Sequence, residues 1–190
     1  MITPAKAITS LSLFVITVIT IALANNHRYP TNVLAGENTV GTWLSGMLLV
    51  VSATLSLNTS MRRGWWPWLP LTLFFMILAL DERFMFHEQA KERIILALGH
   101  TQKTSTLLYE LPVILGTGIG VIVAHRLWKI FTPAGRALLL AATLFGTASV
   151  TIDVLAAGVL WEDSFKLLAE LLIACALIVE TTLPLASETH

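Results

Sequence analysis

Six apolar stretches recur along this chain, at about residues 7–24, 40–57, 66–86, 107–124, 137–160 and 165–184. Each is close to the ~20 residues that a helix needs to cross the hydrocarbon core of a bilayer. Composition points the same way. The chain is 55% hydrophobic and 13% charged, where a soluble domain carries about 25% charged residues. The reading is an all-α polytopic transmembrane bundle of six helices, with a short amphipathic helix between the third and fourth. Residues 1–190 form one integral-membrane domain, because no internal repeat and no low-complexity linker divides them. The lipid bilayer is the first partner implied. A net charge of zero makes nucleic acid an unsuitable one.

The first stretch ends in Ala22-Leu23-Ala24, which matches a signal-peptidase site. The apolar run before it is long for a signal core, so an uncleaved anchor is favoured. The single cysteine, Cys175, sits in an apolar run and reads as a small core residue.

Orientation follows from basic residues in short loops. Lys6, Arg62, Arg63, Arg126, Lys129 and Arg136 fall on one side of a six-span chain, which becomes the cytoplasm, with both termini there. The other side carries Arg28, Arg83, Lys91, Arg93, Lys103 and Lys166, mostly interleaved with acids. The expected location is the bacterial cytoplasmic (inner) membrane. Aromatic anchors are expected at Tyr29, Trp43, Tyr109 and Trp161 on one face, and at Trp65, Trp66, Trp68 and Trp128 on the other.

The acids are distributed unevenly. Ten of the twelve lie towards the outer side, and only Glu180 and Glu188 towards the inner. Asp81, Glu110, Asp153 and Glu170 come from four different spans at similar depth. Charge inside a span costs ~2.5–3.5 kcal/mol even on the lenient insertion scale, so such groups face the bundle and are functional candidates. In LALDERFMFHEQ, residues 78–89, Asp81, Met85 and Glu88 would share one helical face, and Arg83 and His87 would form an i, i+4 pair. Glu162, Lys166 and Glu170 line one face of the last span. Gly146, Ser149, Asp153 and Ala157 make a small-residue stripe that admits a close neighbour.

Carboxylates with an imidazole suit a divalent cation such as Zn, Fe or Mn. The expected metal or charged-pocket set is therefore Asp81, His87, Glu88, Glu110, Asp153 and Glu170. The motif content is thin: His-x-x-x-His, Glu-x-x-His and a Cys pair are all absent from the sequence. Each candidate also has a bland reading. Glu82, Arg83, His87 and Glu88 can be a solvated helix end, with Glu82 and Arg83 the first to return to solvent. Glu110 and Glu170 lie one turn from helix N-termini, where a carboxylate suits the dipole. Glu162 and Asp163 read as plain N-terminal charges. His27, His100 and Glu37 read as solvated loop residues.

FHEQAKERIILALGH, residues 86–100, reads as an amphipathic helix that lies on the membrane or caps the bundle as a lid; the alternative is a bent continuation of span three. Gly116, Gly118 and Gly120 lie inside a span, where close helix packing explains them better than phosphate binding. Pro112 is placed to kink span four.

Leu80-Asp81-Glu82 through His87-Glu88, with the acidic opening Trp161-Glu162-Asp163-Ser164, resembles a group of uncharacterised bacterial multi-pass membrane proteins. That resemblance implies the architecture and no activity. Leu80-Asp81-Glu82…Met85 also resembles the Leu-Asp-Glu-x-x-Met stretch of the alkaline ceramidase family, seven-span zinc amidases, whose carboxylate would fall on Asp81. That family's zinc histidines have no counterparts here, so neither its zinc site nor its activity carries over. Three functions follow from the residues: a metal-binding or charged-pocket site, an accessory or assembly subunit of a membrane complex, and a proton or cation pathway. The inner half offers few polar groups for the last. No substrate or reaction is legible.

Overall fold

A computed structural model of the chain describes residues 3–26, 29, 31–34, 39–97, 111–155 and 158–182. Every regular element among these residues is helical: α1 (Pro4–Asn25), α2 (Thr31–Leu34), α3 (Val40–Arg63), α4 (Trp65–Phe84), α5 (Phe86–Ala97), α6 (Leu111–Leu127), α7 (Pro133–Val154) and α8 (Val159–Thr182).

Local chemistry sets the boundaries. Thr3, Thr39 and Thr132 cap α1, α3 and α7, each hydroxyl accepting a backbone N–H of the first turn. Pro4 and Pro133 follow two of these caps, where the missing N–H costs nothing. Gly64, with φ +113°, turns the chain between α3 and α4 in a single residue. Met85 separates α4 from α5 in the left-handed region, φ 53°, although it is not glycine. The Asp81 to Glu88 face expected of a continuous helix is therefore broken at Met85. So is the Arg83–His87 pair. After α4 the chain does not continue straight: residues Phe86–Ala97 form a separate helix, α5.

α8 is the centre of the bundle. It packs most extensively on α7, and also on α3, which pairs with α4. One cluster joins Leu49, Trp68, Leu71, Phe75, Phe131, Leu139 and Leu177; a second joins Val15, Leu44, Leu48, Leu167 and Ala174. Cys175 is buried among them, as expected. Trp68 departs from its expected role as an interface anchor. It is 2% exposed and stacks on Phe131 at 5.3 Å, whereas Trp43, Trp66, Trp128 and Trp161 are exposed. α6, like α1, is packed only sparsely, and it touches α4, α5 and α7.

Among the described residues three helices, α1, α3 and α7, are long and apolar enough to cross a membrane, rather than six. The shortfall has visible causes. α4 opens on Trp65, Trp66, Pro67, Trp68 and Pro70 and closes on Asp81, Glu82 and Arg83. α8 carries Glu162, Asp163, Lys166, Glu170 and Glu180. α6 has 17 residues among those described. Leu13, Phe14, Ile16 and Ile21 of α1 and Leu115, Ile119 and Ile122 of α6 are exposed, an apolar surface that suits hydrocarbon better than water.

Candidate functional site

The C-terminal ends of α4 and α7, the start of α6, the start of α8 and the first residues of α5 meet at one end of the bundle. A cavity of about 330 Å³ opens there and runs between α4, α6, α7 and α8. Its charged end carries Asp81, Glu82, His87, Asp153, Glu162, Lys166 and Glu170. Further in, its wall is Leu71, Phe75, Leu139, Ala142, Ile173 and Leu177.

Asp81 and His87 form a tight pair. The His87 ring donates through Nδ1 to Asp81 Oδ2 at 2.7 Å, and the His87 backbone N–H donates to Oδ1 at 2.8 Å. A carboxylate only accepts, so the bond fixes a proton on Nδ1. Asp81 thus serves the last turn of α4 and also caps α5, satisfying one of its orphan N–H groups. The Asp81 hydrogen bond holds the His87 pKa above its ordinary 6.5, against burial, which acts the other way. The other ring nitrogen, Nε2, stands 3.5 Å from Glu88 Oε1.

Lys166 donates to Glu82 Oε2 at 2.5 Å, joining α8 to α4. Glu82 belongs to the site rather than to solvent; its side chain is 12% exposed. Glu162 also lines the cavity, where Asp153 and Asp163 act on it as repelling neighbours, so it is more than a plain helix-start charge. The i, i+4, i+8 spacing of Glu162, Lys166 and Glu170 on one face was the signal that could have placed all three.

Glu170 is the deepest of these groups. It is 8% exposed. Its Oε1 accepts from Ser45 Oγ of α3 at 2.8 Å. The residue lines the cavity, and its Oε2 is buried and has no hydrogen-bond partner among the described residues. Burying a carboxylate oxygen without a partner costs several kcal/mol at the scale of ions in proteins, which makes this atom the most informative in the molecule.

Of the six residues expected to act together, Asp81, His87, Asp153 and Glu170 line this one cavity. Glu88 is not among the lining residues; it accepts from Lys91 at 3.0 Å. Glu110 lies outside the described residues, as do His27, His100, Glu37 and Tyr109. Among the described residues no three His, Cys, Asp or Glu side chains stand close enough together to hold a metal ion.

The small-residue stripe on α7 serves the packing expected of it. Gly146 faces the Ala169 methyl group, and Ser149 Oγ donates to the Glu162 carbonyl at 2.9 Å. The glycines of α6 behave differently. A methyl group added at Gly116 or Gly118 would meet nothing, and only Gly120 has a close neighbour, the Phe74 ring. Gly116 lines open cavity rather than a helix contact.

The opposite end of the bundle holds an arrangement not anticipated from sequence. Glu180 is fully buried. Its Oε1 accepts from both the backbone N–H and the hydroxyl of Thr132, each at 2.7 Å, and its Oε2 pairs with Arg63 at 3.3 Å. Arg62 donates to the Thr181 carbonyl at 2.6 Å. A glutamate near a helix C-terminus opposes the helix dipole. That position was itself a hint that a partner must compensate it.

The fold described here is that of a helical protein with an intrabundle cavity, charged at one end and apolar at the other. The chain belongs to the family of the domain of unknown function DUF8692, which it matches over residues 5–181. No curated protein and no solved structure matches it.

Proposed function

We propose that this chain is a six-span protein of the bacterial cytoplasmic membrane, with both termini inside, whose charged cavity binds a small-molecule ligand. The observation that carries this reading is Glu170, a cavity-lining residue whose Oε2 is a buried acceptor without a partner among the described residues. The cavity lies at the lower end of the 300–1,000 Å³ range of ligand pockets, and like them it is apolar with a few convergent polar groups. In this reading α4, α6 and α8 also span. Their charges face the bundle interior, where intramembrane ionisable groups reside. Asp81 and His87 form a positioned pair at the mouth, and α5 lies over it.

The test is a search for ligands that raise the unfolding temperature of the purified protein. Cys175 is the only cysteine and is buried, so a thiol-reactive fluorogenic dye reports unfolding directly. At least one compound is expected to give a saturable rise that Glu170→Gln removes. A screen across cations, divalent metals, amines, carboxylates and lipids in which nothing acts through Glu170 would end the proposal.

A further inference from the structure

We propose that the occupant of this cavity is a single-chain amphiphile with a cationic head, such as a medium-chain amine or ammonium, its head at Glu170, in the field of Asp153 and Glu162, and its chain along the apolar wall beyond. This rests on the ligand-binding reading above and adds the chemical class.

The shape argues for one extended chain. On α8 the lining runs from Glu162 to Leu177, which at 1.5 Å rise per residue is roughly 22 Å, and its apolar part beyond Glu170 is roughly 11 Å. On α7 it runs from Leu139 to Asp153, roughly 21 Å on the same rise. A volume of about 330 Å³ drawn out over that length leaves a narrow slot, not a chamber for a bulky ring system. Beyond Glu170 the wall offers carbon almost throughout: Leu71, Phe75, Leu139, Ala142, Ile173 and Leu177. α6 packs only lightly on α4 and α7, so the slot has a flank through which a chain can enter from the side.

Charge pairing selects the head. Five carboxylates line the cavity, Asp81, Glu82, Asp153, Glu162 and Glu170, against two basic groups. His87 is committed to Asp81 and Lys166 to Glu82. Asp153, Glu162 and Glu170 have no ion pair among the described residues, although Lys166 acts on Glu170 at longer range. An anionic head would meet uncompensated like charge. A cationic head at Glu170 is also attracted at longer range by Asp153 and Glu162, and one with N–H groups supplies the donor that Glu170 Oε2 lacks.

The experiment uses the full chain in neutral maltoside micelles. Tritiated octylammonium and octyl sulfate are presented in turn, and binding displaced by excess unlabelled probe is measured by scintillation proximity. The ammonium probe is expected to bind saturably, near one per chain, and the sulfate not at all. Glu170→Gln is expected to weaken the ammonium by about ten- to hundredfold, the worth of one hydrogen bond to a charged group. Gly116→Leu keeps every charge and adds bulk where an added methyl meets nothing, and it is expected to abolish binding. Asp153→Asn gives a second, less buried test of the head site. Dye-reported unfolding of each variant confirms the fold.

Equal binding of the sulfate, or unchanged affinity in both Glu170→Gln and Asp153→Asn, overturns the cationic head. Unchanged binding in Gly116→Leu overturns the slot. If neither probe binds while another compound stabilises the protein through Glu170, the amphiphile falls and the ligand-binding reading stands. If nothing acts through Glu170, both fall.

Discussion

Glu180→Ala removes a carboxylate that joins three helices at the end of the bundle opposite the cavity. Its Oε1 receives the N–H and hydroxyl of Thr132, the N-cap of α7, and its Oε2 faces Arg63 at the end of α3. Each hydrogen bond to a charged group is worth about 1.5–3 kcal/mol, but bonds sharing one carboxylate do not add. Removing one partner of a buried pair costs about 3–5 kcal/mol, because the other charge is left uncompensated. The lower part of that range applies, since the Arg63 side chain is 22% exposed and can reach solvent. At about 2–4 °C per kcal/mol for a chain of this size, about 3–4 kcal/mol lowers the unfolding temperature by roughly 6–16 °C. Dye capture of Cys175 on a temperature ramp measures this directly, since Cys175 sits on the same helix and is buried. Glu180→Gln keeps an acceptor for Thr132 and loses only the charge, so it should fall between wild type and Glu180→Ala. Equal unfolding temperatures for wild type and Glu180→Ala would show that this junction does not hold the helices together.

Three further outcomes are expected. The His87 pKa is raised in the folded protein, so its stabilising contribution is complete below the ordinary value of 6.5 and declines as pH rises through the higher folded value. Unfolding temperatures from pH 5.5 to 8.5 should therefore fall more steeply for wild type than for His87→Gln, and parallel curves would dismiss the pairing. Gly135→Ala should destabilise, because the added methyl overlaps Glu180 Oε1 and the Phe131 ring. Gly118→Ala, open on every side, should be neutral or gain up to about 1 kcal/mol of helix propensity, and the reverse order in a thermal ramp would refute the packing. Thr72 donates to Ser56 across the α3–α4 contact at 3.1 Å, so Thr72→Val should cost about 0.6–1.7 kcal/mol, readable as a shift in an SDS unfolding titration.

The ingredients of the cavity were legible as residues before they were legible as a site. Asp81 and Asp153 stood out because short acids in apolar runs have no inexpensive explanation. Glu170 read equally as a charge one turn from a helix start, but α8 begins at Val159, about three turns earlier; the Glu162–Lys166–Glu170 spacing did mark one helical face. The pairing of these groups was not legible. Helical periodicity placed His87 beside Arg83, but Met85 adopts a left-handed conformation and turns His87 back onto Asp81. Glu82 looked dispensable next to Asp81, yet Lys166 lies 84 residues later in the chain and meets it across the bundle.

Apolar runs of helical length, threonine caps and the scarcity of charge determined by themselves that this chain is helical and built from long apolar elements. Those properties are local, arising from backbone hydrogen bonding and the transfer of side chains out of water. Which helix lies at the centre, that Trp68 is core rather than surface, and that Glu180 bridges α7 and α3 depend on contacts between residues far apart in sequence. The cavity belongs to the same category. It exists because α6 stands off from α4 and α7, a spacing set by the packing of four helices together and written in no single segment of the chain.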